Sequence, residues 1–395
     1  MKTRYLLFTG LYFVQGALLA YISNFQKNFL DAKGVAPASI SFLTTAMIFP
    51  FIAKIFLGLA SDRLPIPGLG RRKPYMLLGL AIAGICFLAV AQVDPGLNFS
   101  KYSSLMITAA LGMALFDTCA DGYAIDVSQR DEAGAVQSFM MAGKALGYIA
   151  CSAFFGWIAA RAGFAPVFQM LAVVVVMVAV GVAFAKREEK SLEQERMPKG
   201  VIQFFRSLGL PMLLFAVYGM IYSIASFGID GIVTLFLHRR LSLDENIVGI
   251  YGSLRGIGAV AGAALAGFTA LRYGRVKSVV FALAFLCIAG LSVLLIEGPA
   301  SSYLIGFIWG AAWSYQETIF VMLAMILSDR PLAATVFALL MMSSNIGIAI
   351  GEAIATPMAL SLGFEPTFFS LAAVAVCALA PAILLLKSIP EKLNK

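Results

Sequence analysis

Twelve stretches of about 20 mainly apolar residues, each long enough to cross the hydrocarbon core of a bilayer, follow one another along this chain. They cover roughly residues 5–29, 38–61, 74–93, 102–126, 133–160, 164–185, 207–237, 245–271, 276–296, 301–328, 332–360 and 364–387. In lipid a backbone must satisfy its own hydrogen bonds, so runs of this kind are expected to be helices. The expected fold class is an all-α membrane protein of twelve transmembrane helices. Composition agrees. The chain is 61% hydrophobic and only 13% charged, whereas soluble domains carry about 45–50% apolar and about 25% charged residues. So large an apolar surface would aggregate in water; the lipid bilayer is the expected partner. The N-terminal Met-Lys-Thr-Arg followed by an apolar run mimics a signal peptide. That run carries polar residues placed as in a working helix, and reads as a retained first span.

The longest polar break, 186–206, separates six spans from six. The expected organisation is an N-terminal six-helix bundle (1–185), a cytoplasmic linker (186–206) and a C-terminal six-helix bundle (207–395). Lysine and arginine set the orientation. With the N-terminus inside, the inner segments carry 20 of the 29. Six fall outside (Lys27, Lys33, Lys101, Arg161, Arg239, Arg240) and three within spans (Lys54, Lys144, Arg255). Both termini are thus expected in the cytoplasm, with the chain in a cell (inner or plasma) membrane. The net charge of +8 is scattered through the breaks and forms no basic helix or aromatic-basic platform, which argues against nucleic acid.

The halves repeat. At a shift of 200 positions Gly163, Phe164, Pro166, Phe168, Leu171 and Ala172 each meet an identical residue, as do Ser128, Arg130, Ala133, Val136, Met141 and Gly147. At a shift of 209, Gly58 and Arg63 meet Gly267 and Arg272. An ordered set that includes Gly, Pro and Arg is not what chance matching of apolar helices gives. Pairs of glycines four apart, 143 and 147 with 347 and 351, sit in repeat-mate spans and read as close helix contacts.

The break between the second and third spans reads GLASDRLPIPGLGRRKPY (58–75). Its G-x-x-x-D-R followed by G-R-R resembles the signature loop of the major facilitator superfamily. Asp62 at an inner helix end suits the positive N-terminus of a neighbouring helix. Arg63, Arg71 and Arg72 can pair with an acid at the inner end of the fourth span, best Asp126. Together they are expected to form an inner gate. YFVQG (12–16), PFIAK (50–54) and the loop are similar to the folate-biopterin transporters. DGYAIDVSQRDEAGAVQS (121–138) looks like the muropeptide permeases and acetyl-CoA transporters. The resemblance implies two parallel six-helix halves with a solute site near the membrane midplane, a monomer, and transport rather than catalysis.

Ionisable residues inside spans are costly and mark function by default. Asp117 and Asp121 are four apart and share a helix face, and Asp117 is the repeat mate of Glu317. Two neighbouring carboxylates resist double ionisation, so Asp117, Asp121 and Glu317 are the expected proton-coupling acids. Lys54, Lys144 and Arg255 suit an anionic group, Arg255 by its bidentate fork. With Gln15, Asn24, Glu317, Asn345 and Trp313 they form the expected substrate set, while Asp230 and Glu352 suit an outer gate. The expected function is secondary active transport of a polar, anionic organic solute (pterin-, muropeptide- or siderophore-like) coupled to protons. A membrane-embedded enzyme and a transporter of lipid-linked solutes are the alternatives. The five cysteines lie in apolar runs without CxxC spacing and read as buried hydrophobes. No Walker, dinucleotide or HExxH pattern occurs, so no cofactor or metal is expected.

Overall fold

The first polar interruption of the chain is small and local. The first apolar run forms α1 (Thr3–Asn24), turns at Phe25, and resumes as α2 (Gln26–Ala32). These and the following descriptions come from a computed structural model that describes residues 3–63, 70, 72–127, 133–185, 209–327 and 333–388. The chain divides into two compact units: Met1–Glu193 with Leu243–Ser253, and Gln194–Ser242 with Leu254–Lys395.

In the first unit the second run is not the continuous helix its length suggests. It breaks into α3 (Pro37–Ala46), α4 (Phe49–Ile52) and α5 (Lys54–Arg63). Pro50 lacks an N–H and is tolerated only in the first turn of a helix, and it stands in the first turn of α4. The backbone crosses the break through short i−3 links, Ile48 N–H to Thr45 and Phe51 N–H to Ile48, each at 3.0 Å. Lys54 follows directly. Four longer helices complete the unit: α6 (Lys73–Val90), α7 (Phe99–Val127), α8 (Ala133–Ala162) and α9 (Ala165–Phe184). Most extensive is the packing of α1 on α8. A Cβ on Gly143 or Gly147 would strike the Thr9 or Phe13 carbonyl, so backbones touch there. At one end of the unit Lys33 Nζ meets Asp94 Oδ2 at 2.6 Å; with the Gly96 N–H, it holds the Asp94 carboxyl below its ordinary range. At the other end Lys73 Nζ donates to the Ala183 and Ala185 carbonyls at 2.7 and 2.9 Å, satisfying the last turn of α9.

The second unit repeats the plan with α10 (Leu210–Leu241), most of α11 (Glu245–Tyr273), α12 (Arg275–Ser292), α13 (Pro299–Leu327), α14 (Ala333–Leu362), α15 (Phe364–Cys377) and α16 (Leu379–Ser388). Here α10 packs most extensively on α14. Gly347 and Gly351 press on the Met220 and Ile224 carbonyls. Gly147 on Phe13 and Gly347 on Met220 fix a shift of 207 between α1 and α10. Its core is aromatic: Phe215, Tyr218, Tyr222, Tyr315 and Phe320 are all fully buried.

Among the described residues eleven helical segments are long and apolar enough to cross a membrane, and Pro37–Ile52 is a shorter apolar one. The protein is a nearly all-helical, multi-pass membrane protein. Lys27, counted among the outer cations, is 5% exposed on α2. One expectation needs correction. Cys377 is exposed and Cys287 half-buried rather than buried, because each lies on a helix face turned away from the unit's core.

Candidate functional site

Each unit holds an acid near the middle of its fourth long helical run, and each acid receives a hydrogen bond from the unit's first helix. In the first unit the acid is Asp117 on α7. Gln15 of α1 donates to Asp117 Oδ1 and Lys54 of α5 to Oδ2. Asp117 is 6% and Gln15 9% exposed, so the carboxylate is largely withdrawn from solvent, while the Lys54 side chain is 33% exposed. One turn along α7, Asp121 accepts a hydrogen bond from the Tyr12 hydroxyl. The two carboxylates thus have separate donors, all drawn from α1 and α5. Helical spacing explains the match, because Tyr12 and Gln15 are three apart and Asp117 and Asp121 four apart. Lys54 reaches them because α5 begins directly after the break at Ala53.

Lys144 lies on α8, where its carbonyl presses on Gly16. The amide of Asn24 is engaged on both sides: it donates to Ser152 at 2.9 Å and accepts from the Tyr148 hydroxyl at 3.2 Å. That places Asn24 and Tyr148 together as an α1–α8 clasp.

In the second unit Glu317 on α13 accepts from the Tyr222 hydroxyl at 2.7 Å. Tyr222 stands at the 207-shift mate of Gln15, and Glu317 at the 200-shift mate of Asp117. Ser223 and Ser344 share a hydrogen bond at 2.8 Å; they are the mates of Gly16 and Lys144. Gln316 donates to Tyr218 at 2.6 Å, which adds a second buried polar link between α10 and α13. Half-buried Asn345 follows Ser344 on α14.

A second cluster gathers around Asp230 of α10. Arg255 Nη2 meets Asp230 Oδ2 at 2.6 Å, and Trp309 Nε1 donates to Oδ1 at 2.8 Å. The Arg255 carbon lies 5.3 Å from the Trp313 ring centroid. Asp230 is therefore held by Arg255 and Trp309, while Glu352 sits half-buried on α14.

Of the residues in the loop between the second and third runs, Arg72 is described. Its Nη1 donates to Ser61 Oγ at 2.7 Å, and its guanidinium lies against Gly122. Gly122 is four residues before Asp126 on α7, hence on the same face. Arg71 lies outside the described residues, as do the side chains of Asp62, Arg63 and Asp126. The partners Tyr12, Ser61 and Trp309 were not assigned these roles from sequence. Only a helical-wheel match between α1 and α7 could have found the first.

Buried acids met by single cations, polar donors across a repeat, and backbone-tight helix crossings define a polytopic membrane transporter. The chain belongs to the Major Facilitator Superfamily, whose family model matches residues 5–352. A folate-biopterin transporter of Synechocystis is 30% identical over 201 residues, covering 48% of this chain and 38% of that relative. The anhydromuropeptide permease of Escherichia coli K12 is 24% identical over 353 residues, 85% of this chain and 70% of the relative. Among solved structures, a bacterial homologue of the human lysosomal transporter Spinster superposes with a TM-score of 0.79 at 14% identity, covering 100% of this chain and 98% of that one. A D-xylose–proton symporter gives 0.73 at 16% identity, over 100% and 98%. The family and these relatives are transporters, not enzymes.

Proposed function

We propose that this chain is a secondary active transporter for a polar, anionic organic solute and that it works by proton-coupled alternating access in a cell membrane with both termini cytoplasmic. The observation that carries the reading is the Lys54–Asp117 pair with Gln15. A partly buried cation favours a counter-anion. While Asp117 is ionised it fills that need. When Asp117 takes up a proton, Lys54 loses its partner, and a solute carboxylate can replace it. Proton and solute therefore favour each other's binding, and the coupling is reciprocal. Asp121 and Glu317 are the further acids able to share the proton, and Lys144 and Arg255 the further cations able to meet the solute. Asp62, Arg63, Arg71, Arg72 and Asp126 serve as the inner gate; Asp230 and Glu352 serve the outer one. The names of the two relatives point to pterin- or muropeptide-like solutes.

Purified protein in proteoliposomes tests this with pterin-6-carboxylate and 1,6-anhydro-N-acetylmuramic acid as solutes. An inward-acid gradient should drive accumulation in the wild type. Asp117→Asn should lose accumulation yet retain exchange between loaded compartments, because exchange requires no proton release. Full accumulation by Asp117→Asn, Asp121→Asn and Glu317→Gln alike removes protons from the mechanism.

A further inference from the structure

Trp309 and Trp313 stand four residues apart on α13, so their indoles project from one face. Their N–H groups have different fates. That of Trp309 is bonded to Asp230. The Trp313 Nε1 is shielded from solvent and has no hydrogen-bond partner among the described residues. A buried donor without an acceptor is costly, and native proteins rarely keep one without a use. The surroundings state which use. The guanidinium of Arg255 lies over the Trp313 ring at 5.3 Å, and Phe227 meets the same ring at 77° and 5.6 Å. Both Asp230 oxygens are already engaged, one by Arg255 and one by Trp309. What the cluster still offers is a donor beside a positive charge, so it suits an acceptor carrying negative charge. Its geometry is also fixed in advance. Gly310, between the two tryptophans, packs on the Arg255 carbonyl with no room for a Cβ, which locks α11 against α13 at this level.

We infer that Trp313 Nε1 and Arg255 form a carboxylate-binding subsite of the second unit, in which the indole N–H donates to one oxygen of the solute's carboxylate and Asp230 with Trp309 positions the arginine. This rests on the anionic-solute reading and assigns the anionic group a place. Lys54 and Arg255 are then not equivalent. Lys54 exchanges its partner, whereas Arg255 keeps Asp230 and acts as a fixed positive neighbour.

The test uses purified full-length protein and three pairs of probes, each an acid and its primary amide: benzoate and benzamide, pterin-6-carboxylate and its amide, 1,6-anhydro-N-acetylmuramic acid and its amide. Affinities are measured by calorimetry for the wild type, Trp313→Phe and Trp313→His. Phenylalanine keeps a ring beneath the guanidinium and deletes the N–H; histidine restores a ring donor. At least one acid should bind the wild type more tightly than its amide. Trp313→Phe should weaken that acid about tenfold or more, the size of one hydrogen bond to a charged acceptor, and shift the amide less than about twofold. Trp313→His should recover part of the loss. Unliganded Trp313→Phe should melt no lower than the wild type, because it removes an unsatisfied donor. Equal weakening of acid and amide, or unchanged acid affinity, overturns the subsite while the transport reading stands. A wild type that binds and accumulates only amides overturns the anionic reading and the subsite together, and so does one that binds none of the acids.

Discussion

The two units solve the same problem in different ways. Both place a carboxylate at repeat-related positions, Asp117 and Glu317, and both feed it a hydrogen bond from the first helix, Gln15 or Tyr222. In the first unit a cation from the second helical run, Lys54, meets that carboxylate. The position that matches Lys54 at the 209 shift is Ala263. Likewise the crossing that carries Lys144 in α8 carries Ser344 in α14, hydrogen-bonded to Ser223. In the second unit Arg255, also from the second helical run, meets Asp230. The repeat-related positions thus hold an ion pair in one half and a hydroxyl network with a separate Arg255–Asp230 pair in the other. Shared backbone geometry with divergent charge separates what the fold requires from what the solute requires.

The strongest way to probe the shared part is to block the crossings. Gly147→Leu and Gly347→Leu should each abolish recovery of folded protein, because the atoms met are main-chain carbonyls that cannot swing aside; overpacking costs typically about 1–3 kcal/mol and more where nothing yields. Size-exclusion profiles after extraction read the outcome. If one variant folds and its mate does not, the halves are not packed alike.

The next largest effect separates the acids. Lys54→Ala leaves a carboxylate that is only 6% exposed without its cation. Breaking a fully buried pair costs about 3–5 kcal/mol, and because the Lys54 side chain is 33% exposed the expected loss is nearer about 1–3 kcal/mol. Lys54→Ala with Asp117→Asn should recover most of it. Glu317→Gln should change the melting temperature less than Lys54→Ala, since an amide can still accept from Tyr222. A destabilisation by Glu317→Gln as large as that of Lys54→Ala would place a hidden cation on Glu317 and erase the contrast.

The smallest effect lies at the exposed helix ends. Lys33 and Asp94 approach to 2.6 Å, while Arg240 and Glu365 of the second unit stand 4.0 Å apart, both exposed. Asp94 has a carboxyl held low in the folded state. Any stability it contributes is therefore present above the ordinary carboxylate range and fades as pH falls through the lowered value. At low salt, Asp94→Asn should reduce the melting temperature slightly near neutrality and not at all in strong acid. Glu365→Gln should be silent at both.

Spans and repeat were legible because they depend on residue identity and order, which hydropathy and alignment register directly. The acids could be flagged for the same reason: a charge in an apolar run is visible without a structure. Partners were not. Whether Asp121 meets Tyr12, or Asp230 meets Trp309, depends on helix rotation, and no single helix encodes that. Asn24 looked like a free polar contact, yet its amide is spent on Ser152 and Tyr148.

The break in the second run bears on how the chain enters the membrane during synthesis. Pro37–Ile52 is too short to cross unaided, and α5 beyond it begins with a lysine. A lysine at mid-bilayer opposes insertion by about 2.5–3.5 kcal/mol. Its counter-charge, Asp117, is made 63 residues later. Until α7 emerges from the ribosome, this segment holds its place only through its neighbours, and the pair closes when the seventh helix arrives. Replacing Asp117 with an apolar residue should therefore lower the yield of membrane-inserted protein relative to Asp117→Asn, as read by quantitative blotting of membrane fractions.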